Sequence, residues 1–143
     1  MADDDQPPLI LIDDRQTEEL DRDALTVLAR ECLVGEGAAN SELSVSFVTE
    51  DEMAELHLRY MQEEGPTDVL SFPQDVDGEG RRLLGDVVIA PSVAARNNPA
   101  DPGGEMKLLL AHGILHLLGH DHDDERERAA MWALQERYSG MRA

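Results

Sequence analysis

Four of the chain's five histidines fall in one stretch: His112-Gly113-Ile114-Leu115-His116-Leu117-Leu118-Gly119-His120-Asp121-His122. On a helix, positions i and i+4 share a face, so His112 and His116 present two imidazoles side by side. One helix offers two nitrogen ligands to a zinc ion in this way. Gly119 is suited to the left-handed conformation that ends a helix and turns the chain back. That turn lets His122 supply a third nitrogen; His120 is the alternative, or a loop residue beside the metal. Three neutral imidazoles leave Zn2+ its full charge and one open position for water, whose pKa falls to about 7 in such sites. Asp121 is a candidate acceptor, either for an imidazole N–H or for a proton in the reaction. The rest of the segment is almost wholly apolar (Leu108 to Leu110, Ile114, Leu115, Leu117, Leu118). Placing two imidazoles there without a ligand would carry a desolvation cost.

The spacing matches H-E-x-x-H-x-x-G-x-x-H, the metzincin peptidase pattern, at His112, His116, Gly119 and His122. Gly113 stands where those peptidases carry the glutamate that serves as general base. Without that carboxylate, ordinary zinc-peptidase chemistry loses its proton acceptor. The departure argues against a protease.

The elements that must hold these residues are legible in outline. Leu9 to Ile12 reads as a buried strand. Leu20, Ala24, Val27, Leu28 and Cys32 recur at helical steps, and Gly35 and Gly37 follow: an amphipathic helix with a glycine stop. Leu43 to Val48 alternates, with Leu43, Val45 and Phe47 on one face. Thr49-Glu50-Asp51-Glu52 is a capping box that starts a helix through Met53, Leu56, Tyr60 and Met61. Val69 to Phe72, before Pro73, is a short strand at or near an edge. The turn Asp77-Gly78-Glu79-Gly80 joins it to a hairpin partner, Leu83 to Ala90. Pro91 starts a short helix, and Asn97 to Gly104 is a loop. Glu105 to Leu118 is a helix, and Asp123 to Tyr138 a last helix with Ala130, Leu134 and Arg137 on one side. The order predicts one layered α/β (α+β-like) domain over residues 7–143, with a small mixed four-stranded sheet packed by helices. Residues 1–6 read as an acidic flexible tail. The metal site falls on the helix of the C-terminal half and the turn after it.

Composition limits the class. The chain has 143 residues, enough for one domain with a real core. Its longest unbroken apolar run falls far short of the ~20 residues of a membrane span, so no membrane partner is expected. The acidic start lacks the positive region of a signal peptide. A single cysteine, Cys32, rules out an intramolecular disulfide; it reads as a buried inert thiol and fits a cytoplasmic location. Against 31 Asp+Glu stand 12 Lys+Arg, a net charge of −19. Such a surface repels phosphate backbones, which places general nucleic-acid binding low and makes DNA unexpected.

Three blocks nevertheless resemble one family. His112, Gly113, Leu115, His116, Leu117, Gly119, Asp121 and His122 match the H-G-x-L-H-L-x-G-x-D-H signature of the YbeY family of bacterial endoribonucleases, also described as rRNA maturation factors. Pro66-Thr67-Asp68-Val69-Leu70-Ser71-Phe72-Pro73 looks like its P-T-D-V-L-S-F-P block, and Leu84-Gly85-Asp86-Val87-Val88-Ile89 like its L-G-D-I-V-I strand. The resemblance implies one zinc bound by His112, His116 and His122. It also implies single-strand-specific endoribonuclease activity, 16S rRNA 3′-end maturation and ribosome quality control, with RNA and the ribosome or a ribosomal protein as partners, in the cytoplasm. The family commonly carries an arginine where this chain has Met61. Arg59, two residues earlier and about half a helical turn away, is the candidate phosphate-facing cation; its other reading is a solvated charge. His57, at the family's asparagine position, reads as a surface or packing residue. Thr67 and Ser71 are possible phosphate contacts, or hydrogen-bonding groups of a turn and a strand edge. Arg81, Arg82 and Arg96 are further cations for RNA. Two rival readings are a metal-dependent hydrolase of another substrate and a non-catalytic ribosome-associated factor with structural zinc.

Overall fold

A computed structural model describes residues 7–77, 80–120 and 124–141. The chain runs β1 (Leu9–Asp14), α1 (Arg22–Gly35), β2 (Ser41–Phe47), α2 (Glu50–Met61), β3 (Val69–Asp77), β4 (Arg82–Ile89), α3 (Pro91–Asn97), α4 (Pro102–Leu117) and α5 (Glu125–Ser139). The four strands form one mixed sheet in the order β1-β2-β4-β3. β1 and β4 both run parallel to β2, and β3 is antiparallel to β4. The expected α/β fold with a mixed four-stranded sheet is what forms. The tail read at residues 1–6 lies outside the described residues.

Alternation along β2 divides the two faces of the sheet. Leu43, Val45 and Phe47 are buried on one side with α1 and α4. β4 carries an extra residue where Glu42 faces Leu83 and Leu43 faces Gly85. This bulge shifts the alternation, so Leu84 joins Val87 and Ile89 on the α1/α4 side. Val88 faces the other way and packs with Val48, Met53, Leu70, Ala90 and Val93, the smaller core under α2 and α3. The sheet is therefore a middle layer, with α2 against one face and α1, α4 and α5 stacked against the other.

Local chemistry sets the helix starts. Thr49 caps α2 by accepting from the Glu52 N–H at 3.2 Å, as the capping-box sequence predicts. α4 begins earlier than expected, inside the stretch read as a loop. Asp101 accepts from the Gly104 N–H at 3.0 Å, and Pro102 occupies the first turn, where a missing N–H costs nothing. Its Asp-Pro-Gly-Gly composition masked a helix start as a turn.

Other faces are rotated or less covered than read. β1 is an edge strand whose Ile10 and Ile12 pack inward while Leu11 stays 46% exposed, because a helix covers only one of its faces. In α1 the inward face is Leu25, Leu28, Ala29, Cys32 and Leu33, and Val27 points to solvent. In α2 only Met53 is buried; Tyr60 lies edge-on to Phe72, ring centroids 5.2 Å apart. In α5 the inward positions are Met131, Gln135 and Ser139, with Leu134 half-buried and Ala130 and Arg137 exposed. Among the described residues no helix is long and apolar enough to cross a membrane.

Helix α4 lies close against the sheet. A Cβ at Gly113 would sit 2.7 Å from Val87 Cγ1 and 3.2 Å from Ser71 Oγ. Glycine there lets the helix backbone lie directly on β4 and β3, and Ser71 Oγ donates to the Gly113 carbonyl at 3.2 Å. Gly113→Ala adds helix propensity worth about 1 kcal/mol but forces a buried β-branched neighbour aside, an overpacking cost of ~1–3 kcal/mol. Urea denaturation is expected to show a net loss of stability, partly restored in Gly113→Ala with Val87→Ala. Cys32 is fully buried, and desolvation, aided by Glu36, pushes its thiol up to about 12. Alkylation of Cys32 is therefore expected only through unfolding, at a rate that rises with denaturant.

Candidate metal centre

Helix α4 is buried on nearly all sides because the sheet lies under it and α1, α3 and α5 surround it. This explains its almost continuous apolar sequence. Its half-buried positions include His112 and His116, whose rings are 4.6 Å apart between centroids and inclined at 73°. The expected face of two imidazoles is thus formed. His112 Nδ1 lies 2.7 Å from Oε1 of Gln135 on α5. An amide oxygen can only accept, so Nδ1 is the donor of this bond, and in the neutral ring the lone pair is then on Nε2. Metal-ligating histidines are commonly oriented by such a bond on the other ring nitrogen.

The end of α4 has the geometry that the Gly119 reading called for. Gly119 has φ +95°, its N–H donates to the His116 carbonyl at 3.1 Å, and the His120 N–H donates to the Leu115 carbonyl at 3.0 Å. This is the two-bond Schellman ending, which reverses the chain after a helix. His120 Nε2 then lies 3.0 Å from Glu36 Oε1, and Tyr138 donates to Glu36 Oε2 at 2.6 Å. Glu36 therefore ties together the ends of α1, α4 and α5. Desolvation, then the Glu36 bond and charge, push the Tyr138 hydroxyl up to about 12. Asp121 and His122 lie outside the described residues. Among those described, no cluster of three ligand-type side chains forms around the two histidines. His112 and His116 fit zinc in donor type, in spacing and in the bond that sets the His112 tautomer.

The remaining candidates are dispersed. Arg59 is exposed in the last turn of α2, the helix on the other face of the sheet. His57 holds the loop after α2, Nδ1 being 2.9 Å from the Gly65 carbonyl and Nε2 2.9 Å from Glu63 Oε2. Ser71 bonds to Gly113, and Thr67 Oγ1 reaches Asp68 Oδ1 at 3.5 Å; both hydroxyls serve structural contacts. Arg81 donates to the Pro7 carbonyl at 2.7 Å, and Arg96 is paired with Glu50. The Arg96 and Ser92 hydrogen bonds hold the Glu50 carboxyl below its usual range. Sequence reasoning missed Gln135, Arg128 and Trp132, which line a cavity of about 220 Å³ with His112 and Met131. The signal was available: Arg128, Trp132 and Gln135 are spaced i, i+4, i+7, one face of a helix.

A family model described as "Endoribonuclease YbeY" matches residues 9–141. Among curated relatives, an Endoribonuclease YbeY of Frankia alni is 51% identical over 110 residues, covering 66% of this chain and 60% of its own length. The Salinispora tropica protein of that name is 44% identical over 138 residues, covering 83% of this chain and 86% of its own. Another Frankia relative is covered over only 54% of its length, so this chain spans little more than half of some proteins it matches. The solution structure of TM1509 from Thermotoga maritima superposes with a TM-score of 0.61 at 28% identity, covering 92% of this chain and 87% of that one. A family match over nearly the whole described fold, with the paired histidines in place, makes this chain a member of the YbeY endoribonuclease family.

Proposed function

We propose that this protein is a zinc-dependent endoribonuclease acting on single-stranded RNA. Its place in the cell would be 16S rRNA 3′-end maturation and ribosome quality control in the cytoplasm, with the ribosome or a ribosomal protein as partner. The observation that carries the reading is the pair of imidazoles on α4, one of them oriented through Nδ1 by Gln135. The names of the relatives give RNA as the substrate class.

His112, His116 and His122 are the residues that would hold the metal. When bound, zinc supplies Lewis-acid charge to a phosphoryl oxygen and lowers the pKa of a water. Gln135 fixes the His112 tautomer, so that Nε2 is the nitrogen able to ligate. Gly113 puts backbone against the sheet where a peptidase would carry its glutamate. Asp121 is the proposed proton acceptor, and Arg59, exposed on α2 across the sheet from the histidines, is the proposed cation for a phosphate of the RNA away from the metal.

The test incubates metal-loaded protein with rRNA and with casein, with and without chelator, beside His116→Ala. RNA is expected to be cut and casein spared, with kcat/KM falling more than about 100-fold in His116→Ala. RNA cleavage surviving in a folded His116→Ala protein would sink the reading. Casein cleavage alone would make it a peptidase, and metal without either activity a scaffold. Gln135→Leu is expected to weaken zinc binding by about 10–100-fold in competition with a chromophoric chelator. Equal affinity would show that the Gln135 bond does not tune the site.

A further inference from the structure

The cavity beside His112 has a composition that metal binding does not require. Met131 forms buried apolar wall, Gln135 holds the imidazole, and Arg128 and Trp132 stand at the solvent side. Trp132 is 41% exposed although it is the chain's one tryptophan, and nothing in the apolar core uses it. The same two residues line a second, larger and more open hollow with Glu125, Arg126 and Ala129. Arg128 and Trp132 are one turn apart on α5 and so form a ridge with a hollow on each side. At about 220 Å³ the inner hollow is below the ~300 Å³ and upward of sites that enclose a drug-sized ligand. It suits one planar group entering from solvent.

We propose that Trp132 and Arg128 form a nucleotide platform beside the metal centre, Trp132 stacking on an unpaired base and Arg128 engaging the adjoining phosphate. The proposal rests on the ribonuclease reading and deepens it. Base–aromatic stacking tolerates any sequence because every base has a π-face, and it requires the base to be unpaired. Single-strand selectivity follows from that requirement. The local field also favours stacking as the main attraction. Asp124, Glu125 and Glu127 crowd the first turn of α5, so a phosphate approaching Arg128 meets opposing charge. Stacking on an indole is unaffected by that repulsion, whereas the arginine contact weakens with salt.

Because Trp132 is unique, its emission reports on the platform directly. Metal-loaded protein is titrated with an unstructured single-stranded oligoribonucleotide of about ten nucleotides, carrying phosphorothioate linkages to slow cleavage. Saturable quenching is expected, and none with the corresponding blunt duplex. Trp132→Ala is expected to raise Kd about ten-fold, and Trp132→Phe to restore most of the affinity. Arg128→Gln is expected to weaken binding and flatten its salt dependence by about one phosphate contact. Bound zinc stays at the wild-type level in all three variants, which separates a platform from a prop for the metal site. Emission unchanged by RNA, or equal Kd in Trp132→Ala and wild type, overturns the proposal. Should Trp132→Ala fail to fold, wild-type quenching and Arg128→Gln decide it. Quenching without cleavage of rRNA would leave the platform standing and remove the ribonuclease reading. Cleavage with an unchanged KM in folded Trp132→Ala would do the reverse.

Discussion

The contact of Gly113 with Val87 and Ser71 is the constraint on which the rest of the molecule depends. A helix normally stands off a sheet by the thickness of two layers of side chains. Here one glycine lets the α4 backbone touch β4, and the Ser71 hydroxyl bonds to a helix carbonyl. The contact fixes α4 in rotation about its own axis. With Gly113 turned to the sheet, residues 112 and 116 fall on a neighbouring stripe. That stripe brings His112 against α5, where Gln135 meets it. One small residue thus determines the direction in which two imidazoles point. The same choice penalises any side chain at position 113, and one as large as a carboxylate most. The lack of a peptidase base and the close packing of the fold have one cause.

Much of this was legible beforehand, and the exceptions have physical reasons. Strand β2, the capping box at Thr49 and the glycine ending of α4 depend on local chemistry, and each formed where local chemistry put it; the β3–β4 hairpin also formed, but β3 runs on past Phe72 through Pro73 to Asp77. The paired histidines depend only on helical period. What was misread depends on what lies across the gap. Val27 and Leu25 are equally plausible inward residues on period alone; the sheet's position chose Leu25. Ile10 and Leu11 look alike in sequence, and an edge with one covered face separates them. Gln135 is an unremarkable polar residue until α5 packs across His112, because its role belongs to a pair separated by 23 positions. Residues that act through another helix carry no signature in their own segment.

The charge of −19 argued against nucleic acid, and several of the chain's cations are turned inward on the protein itself. Arg15 is paired with Asp13 and Glu52, Arg96 with Glu50, and Arg81 with a backbone carbonyl. Exposed pairs of this kind contribute little to stability, because water and salt screen them. Their larger effect is to leave these arginines pointed at the protein's own acids and carbonyls. Electrostatic steering of a long RNA over this surface is therefore weak. Recognition must come from a small area where attraction does not depend on net charge. A divalent cation meets that condition because its charge is local and absent from the composition. An aromatic plane meets it because dispersion and stacking are indifferent to the sign of the field. The proposed zinc site and Trp132 flank one cavity, so an acidic protein can engage a polyanion there without a basic surface. With steering this weak, delivery to a target would serve better than scanning free RNA, which is the physical argument for the proposed ribosomal partner.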